Sequence, residues 1–313
     1  MSYYIRALRD LPLEVWKIDD EEALRIGITN ARGGAGTYFK RAEGETIWDT
    51  IRRQAIGWFE PAGTNPFHQN AFQPGQFYPR MARPTNDDHG GPLGCNPGAA
   101  SDSHFIAMAR GQLKALTRQL DRICQTVHPV DETLSIYGHE IRNLLILACT
   151  EVEMHWRGIL HANGIDQARY DTRSYVKLQG AMKLGDYTVR FPNFPWLTPV
   201  CPFGGWGHTG KPTQELSWYD AYNATKHNRE GEFAKATLAH AFQAVSACVV
   251  MMAAEFGTAA GLDEDAELNS SFQLASEPAW SFGDVYLNPD GCHARDWAPI
   301  NFPFDAAAPQ QKR

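Results

Sequence analysis

The stretch DETLSIYGHEIRNLLILACTEVEMHWRGILHANG, residues 131 to 164, decides the fold. Ile141, Leu145, Ala148, Val152, Trp156 and Ile159 recur at helical spacing along one stripe, and Asn163-Gly164 follows as a stop signal. A stripe of that length cannot remain in water, so the helix needs partners. The first lies immediately upstream. HFIAMARGQLKALTRQLDRICQTV, residues 104 to 127, places Ile106, Leu113, Leu116, Leu120 and Ile123 at helical spacing and ends before Pro129. The short Pro-containing turn between the two predicts antiparallel packing.

Working outward, residues 165 to 213 break the helical pattern with Pro and Gly every few positions and read as a connection. Helical character returns at about Thr213 and runs to Phe256, with a weak point at Gly231. Its last part, AFQAVSACVVMMAAEFG at 241 to 257, is the most apolar run of the chain, yet it holds Gln and Glu and falls short of the ~20 apolar residues a membrane span needs, so it reads as a core helix. Three helices over 105–127, 133–162 and 214–257 are therefore expected to pack together.

The flanks look different. Residues 1 to 104 hold short pieces such as ALRIGI and TIWDTIRRQAIGWF, then a stretch so rich in Pro, Gly, Asn and Asp that it reads as a long loop. In residues 258 to 313, the Asn288–Gly291 sequence NPDG suits the turn of a β-hairpin. The expected fold is mainly α. It is a helical bundle over 105–257 with a Pro/Gly-rich insertion at 165–213, between an irregular, mixed N-terminal arm (1–104) and an irregular C-terminal segment (258–313), with minor β additions at both ends.

Hydrophobic residues at 43% and charged residues at 21% match folded proteins and argue against extensive disorder. A formal charge of −7 excludes a protein that coats nucleic acid nonspecifically, because such binding rests on many Lys and Arg contacts to phosphate. A small basic site is compatible with it. Six cysteines without a CxxC pair give no zinc or dithiol motif; they read as free thiols of a reducing cytoplasm, with Cys149 and Cys248 in helix cores. No apolar leader opens the chain, and no membrane association is expected.

SWYDAYNATKHNREGEF, residues 217 to 233, carries the densest chemistry. If 214–256 is one helix, Asn223 and His227 lie one turn apart on the stripe that includes Phe242, Val245, Val249 and Phe256, facing the bundle interior with Lys226 and Arg229 at its flanks. A buried polar pair needs partners. The helix at 139–161 offers Glu151, or the segment around His139 and Arg142; a carboxylate against His227 would fix its tautomer and raise its basicity for acid–base work. A satisfied pair that only fixes packing is the plainer alternative. A metal site from Glu151, His155 and His227 is conceivable, since a carboxylate and a His at i and i+4 share a helix face. GGWGHTGKP at 204–212 could offer backbone amides and Lys211 to a phosphate, or be a plain loop. Phe191, Phe194, Trp196, Phe203 and Trp206 would form a packed lid or a base-stacking platform.

YGHEIRNLLILACTEVEMHWRGIL, a Pro-rich connection and WYDAYNATKHNREGEFAKATLAHAFQAV together resemble the HEPN superfamily of helical bundles, specifically bacterial and prophage members carrying a YNxxKHxR-like stretch. The likeness covers about residues 105 to 257. It implies a metal-independent endoribonuclease of toxin–antitoxin or phage-defence systems, without cofactor, commonly dimeric, with the active site at the dimer cleft and RNA as substrate. The family's polar residue and His fall on Asn223 and His227, while Tyr222 stands where the family has Arg. Lys226 and Arg229 are the cations nearest the His and are proposed on chemistry alone. The other reading is a non-catalytic binding or scaffolding protein of a mobile element.

Overall fold

The computed structural model describes residues 2–7, 13–60, 64–86, 94–258, 262, 265–289 and 297–304. In chain order it contains β1 (Ser2–Arg6), β2 (Glu14–Ile18), β3 (Glu22–Arg25), β4 (Tyr38–Lys40), α1 (Ile47–Gln54), β5 (Phe67–Asn70), β6 (Gln76–Phe77), α2 (Ser103–Thr126) and α3 (His139–Ala162). Then come α4 (Thr172–Tyr175), α5 (Lys177–Met182), β7 (Thr188–Arg190), α6 (Pro212–Glu215), α7 (Ser217–His227), α8 (Arg229–Glu232) and α9 (Leu238–Phe256). The last elements are α10 (Ala266–Ser271), β8 (Gln273–Ser276) and β9 (Ala298–Pro299). The chain is mainly helical and divides into two compact units.

The first unit comprises residues 1–77, 83–93 and 279–299. Five of its strands form one antiparallel sheet in the order β4-β3-β2-β1-β5, and β6 pairs parallel with β9. One face, with Trp16, Ile18 and Phe67, packs on Ile47 and Ile51 of α1; the other, with Ile5 and Val15, packs on Val285 and Leu287. Because both faces are covered, adjacent residues such as Val15 and Trp16 are both buried and the strands lack alternating polarity. Without that alternation the sequence shows only short strand-like pieces of a mixed arm, and the described residues among 2–70 build them into a five-stranded sheet. At its centre the buried Glu14 carboxylate accepts from Arg6 Nε at 2.7 Å and Trp16 Nε1 at 3.1 Å and pairs with Arg25 at 2.9 Å. α1 begins at a capping box between Thr46 and Asp49.

The second unit comprises residues 78–82, 94–278 and 300–313. Residues 94–104 thus go with the helices, and 279–299 with the sheet. Apolar on almost every side, α9 is the central helix of this unit and packs against α2, α3 and α7. Its length and apolarity would allow a membrane crossing, but 83% of its most apolar window is buried within the protein. Leu144, Leu145, Ala148, Val152 and Trp156 of α3 are fully buried, and Cys149 and Cys248 lie in helix cores as read from the sequence. α3 ends at Asn163 and Gly164, the stop that the sequence signals.

The segment 214–257 is not one helix. α7 ends at Asn228, whose backbone leaves the helical region at φ −132°, ψ 74° and whose side chain accepts from the Gly231 amide. A short α8 and a 3-10 turn follow, and α9 starts afresh at the Thr237 cap. Helical phase is lost across these residues, so positions before and after them share no stripe. The 165–213 connection carries α4, α5 and β7, which pairs antiparallel with β8. Phe191, Phe203 and Trp206 are buried, with Trp206 stacked on Trp156 at 4.9 Å, whereas Trp196 is 53% exposed. The aromatic lid is therefore mostly packed. The second half of the expected Asn288–Gly291 turn, and Cys292, lie outside the described residues.

Candidate functional site

On α7 the buried face is formed by Trp218, Ala221, Tyr222 and Thr225. His227 and Lys226 are exposed and Asn223 is half-buried. Asn223 and His227 keep their one-turn spacing, but their face is turned away from the interior, contrary to the expectation from an unbroken helix. The Asn223 amide donates to the Tyr219 carbonyl of its own helix at 3.1 Å. Among the described residues the His227 side chain has no hydrogen-bond or ion-pair partner. Lys226 Nζ donates to Tyr222 Oη at 2.8 Å. Burial raises the Tyr222 phenol above its ordinary range, and the bond to Tyr222 raises the Lys226 ammonium. Arg229 is the first residue of α8.

Besides the Trp156 ring, which packs on Trp218 and Tyr219, two polar side chains of α3 bond to α7 among the described residues, and neither is Glu151. Arg142 Nη2 donates to the Thr225 carbonyl at 3.1 Å, a cation at the negative end of a helix dipole. Glu153 accepts from Tyr219 Oη at 2.5 Å; burial first, then this bond, pushes the phenol well above its ordinary range. The first turn of α3 thus meets the last turn of α7, and the rings of the exposed Tyr137 and His139 flank Phe233 at 5.8 and 4.9 Å. His139, Lys226 and His227 are all exposed at these helix ends.

Glu151 belongs elsewhere, to a buried chain of charges. Glu255 of α9 is 0% exposed; one of its oxygens takes Arg80 Nε and the other faces His155 Nδ1 at 2.5 Å. His155 Nε2 then faces Glu151 Oε1 at 3.7 Å, beyond hydrogen-bond reach. Burial, the largest influence, raises the Glu151 carboxyl. The Glu151–His155–His227 metal grouping is consequently not assembled: the first two are neighbours inside the unit, while His227 is on its surface. The signal for this cluster was a lone carboxylate in the apolar run 241–257, which must have a partner when its helix is buried.

The loop at 204–212 is also spoken for. The Gly207 and Thr209 amides each donate to the Glu215 carboxylate at 2.5 Å, so an internal anion fills the place a phosphate would take. No family model, curated protein or solved structure matches this chain.

Proposed function

We propose that the chain is a HEPN-like, metal-independent endoribonuclease whose reactive end is the junction of α3 and α7. The observation that carries this reading is the exposed Lys226 and His227 on the last turn of α7, with Asn223 one turn earlier and Arg142 docked on the same helix end. A general base must reach its substrate, and an exposed imidazole does. In this reading His227 takes the proton of a ribose 2′-hydroxyl and the 2′-oxygen attacks the adjacent phosphorus. The bond from phosphorus to the 5′-oxygen breaks, that oxygen takes a proton from water, and the proton on His227 returns to solvent, giving a 2′,3′-cyclic phosphate end. Lys226 and Arg229 neutralise the phosphorane and Asn223 orients the phosphate. Among the described residues His227 has no orienting partner, which fits a site completed at the cleft of a homodimer, in a cytoplasmic toxin or defence effector with its cognate antitoxin or defence partner.

The second reading is a non-catalytic binding or scaffolding protein, favoured by the engagement of the Lys226 ammonium with Tyr222 Oη. RNA cleavage in EDTA decides between them. His227→Ala should lose about 100 to 10,000-fold in rate, the usual contribution of a general base, with the melting temperature almost unchanged because the residue is exposed. Wild-type protein that cleaves no RNA as a purified dimer, or that cleaves equally well without His227, removes the enzyme reading.

A further inference from the structure

The buried Glu151–His155–Glu255–Arg80 chain plays no part in the proposed chemistry. It joins three parts of the helical unit. Glu151 and His155 come from α3, Glu255 from the end of α9, and Arg80 from the segment 78–82 that crosses them. Arg80 is held in the left-handed region at φ +57°, costly for a residue with a side chain. Its guanidinium lies over the Phe105 ring at 4.2 Å and across Gly158, where a Cβ would collide with Nη1. Further bonds stitch the same segment down. Ala82 N donates to Ala254 O at 2.9 Å, and the Asn163 amide donates to Pro79 O at 2.9 Å.

The hydrogen-bonding inventory of this chain counts protons. The imidazole Nδ1 faces Glu255, leaving Nε2 towards Glu151; both Nε2 and Glu151 Oε1 are sealed from solvent without a partner. Either Glu151 carries a proton and Nε2 its lone pair, or Glu151 is ionised and both ring nitrogens carry protons. Both arrangements place one proton between the two atoms. Remove it, and a lone pair faces a carboxylate 3.7 Å away in a medium of low dielectric. The remaining charged neighbours do not relieve this. Asp102, before α2, is raised first by burial and adds negative charge near Glu255, while burial keeps Cys248, beside Glu151, a neutral thiol.

We propose that this chain is a single-proton latch: with the proton in place it clamps residues 78–82 onto α3 and α9, and its loss at higher pH releases the strained Arg80 turn. The direction follows from linkage. A carboxyl raised in the folded state contributes stability that is complete below its unfolded value and is lost as pH rises through the folded one, here above the ordinary glutamate range.

Hydrogen–deuterium exchange of the full chain, corrected for the intrinsic pH dependence of labelling, tests this on peptides covering 78–82. From about pH 5 to about pH 9 the wild type should lose protection there by up to about tenfold per pH unit, the limit for one linked proton, while α2 peptides keep theirs. Glu151→Gln, which cannot titrate, should hold protection flat. Glu151→Met, which fills similar space and likewise cannot titrate, should also be flat, and decides the matter if Glu151→Gln does not fold. A flat wild-type profile, or a slope that persists in the folded variants, overturns the proposal.

Discussion

Replacing Glu255 by Ala should destabilise the helical unit by about 3–5 kcal/mol, the range for removing one partner of a buried ion pair. The estimate is built from contacts. Fully buried Glu255 accepts from Arg80 Nε with one oxygen and meets His155 Nδ1 at 2.5 Å with the other. A hydrogen bond involving a charged group contributes about 1.5–3 kcal/mol, so losing two gives about 3–6 kcal/mol before relaxation. Arg80 retains 14% exposure of its side chain and regains some hydration, which brings the figure to the lower part of that span. Urea unfolding followed by ellipticity at 222 nm reads mainly the helical unit, which carries the long helices. In the double variant with Arg80→Met the two effects should be non-additive by about 0.5–3 kcal/mol, since the residues touch. A loss below about 1 kcal/mol for Glu255→Ala, or strict additivity with Arg80→Met, would refute the claim that this pair holds the ends of α9 and the 78–82 segment together.

Two further perturbations probe the frame of the helical unit. Gly257 ends α9 at φ +88°, ψ 157°, a region open essentially to glycine, and a Cβ there would collide with the Gly94 carbonyl oxygen. Gly257→Ala should therefore cost more than about 2 kcal/mol in the same unfolding assay, and a neutral result would mean that the 94–96 strand of chain can move aside. Tyr219→Phe removes the 2.5 Å bond to Glu153 that ties α7 to α3 and should cost about 1–3 kcal/mol, with exchange of α7 amides accelerated more than those of α2. Equal acceleration in both helices would show that this contact does not hold α7 locally.

Much of the helical unit was legible in the residues. The stripes of α2 and α3 are long enough that period alone identifies them, and the Asn163-Gly164 stop is a local signal that needs no partner. The sheet was not legible, because strands covered on both faces lose the alternation by which strands are recognised. The candidate site was half legible. Asn223 and His227 do share a face of α7, but which way that face points depended on a helical phase carried across Asn228 to Thr237, where the chain leaves the helix.

By itself, then, the sequence determined what short-range physics determines: where apolar periodicity demands a buried helix face, where caps and glycines end one, and that the most apolar helix carries a glutamate. Tertiary structure alone decided which groups neutralise it. Arg80 is 175 residues from Glu255 and His155 is 100, and Glu153 rather than Glu151 meets α7 across 66 residues. Separations of that size carry no periodic signature. They become contacts only when α3, α7 and α9 pack, and the same packing turns His227 outward and seals His155 within.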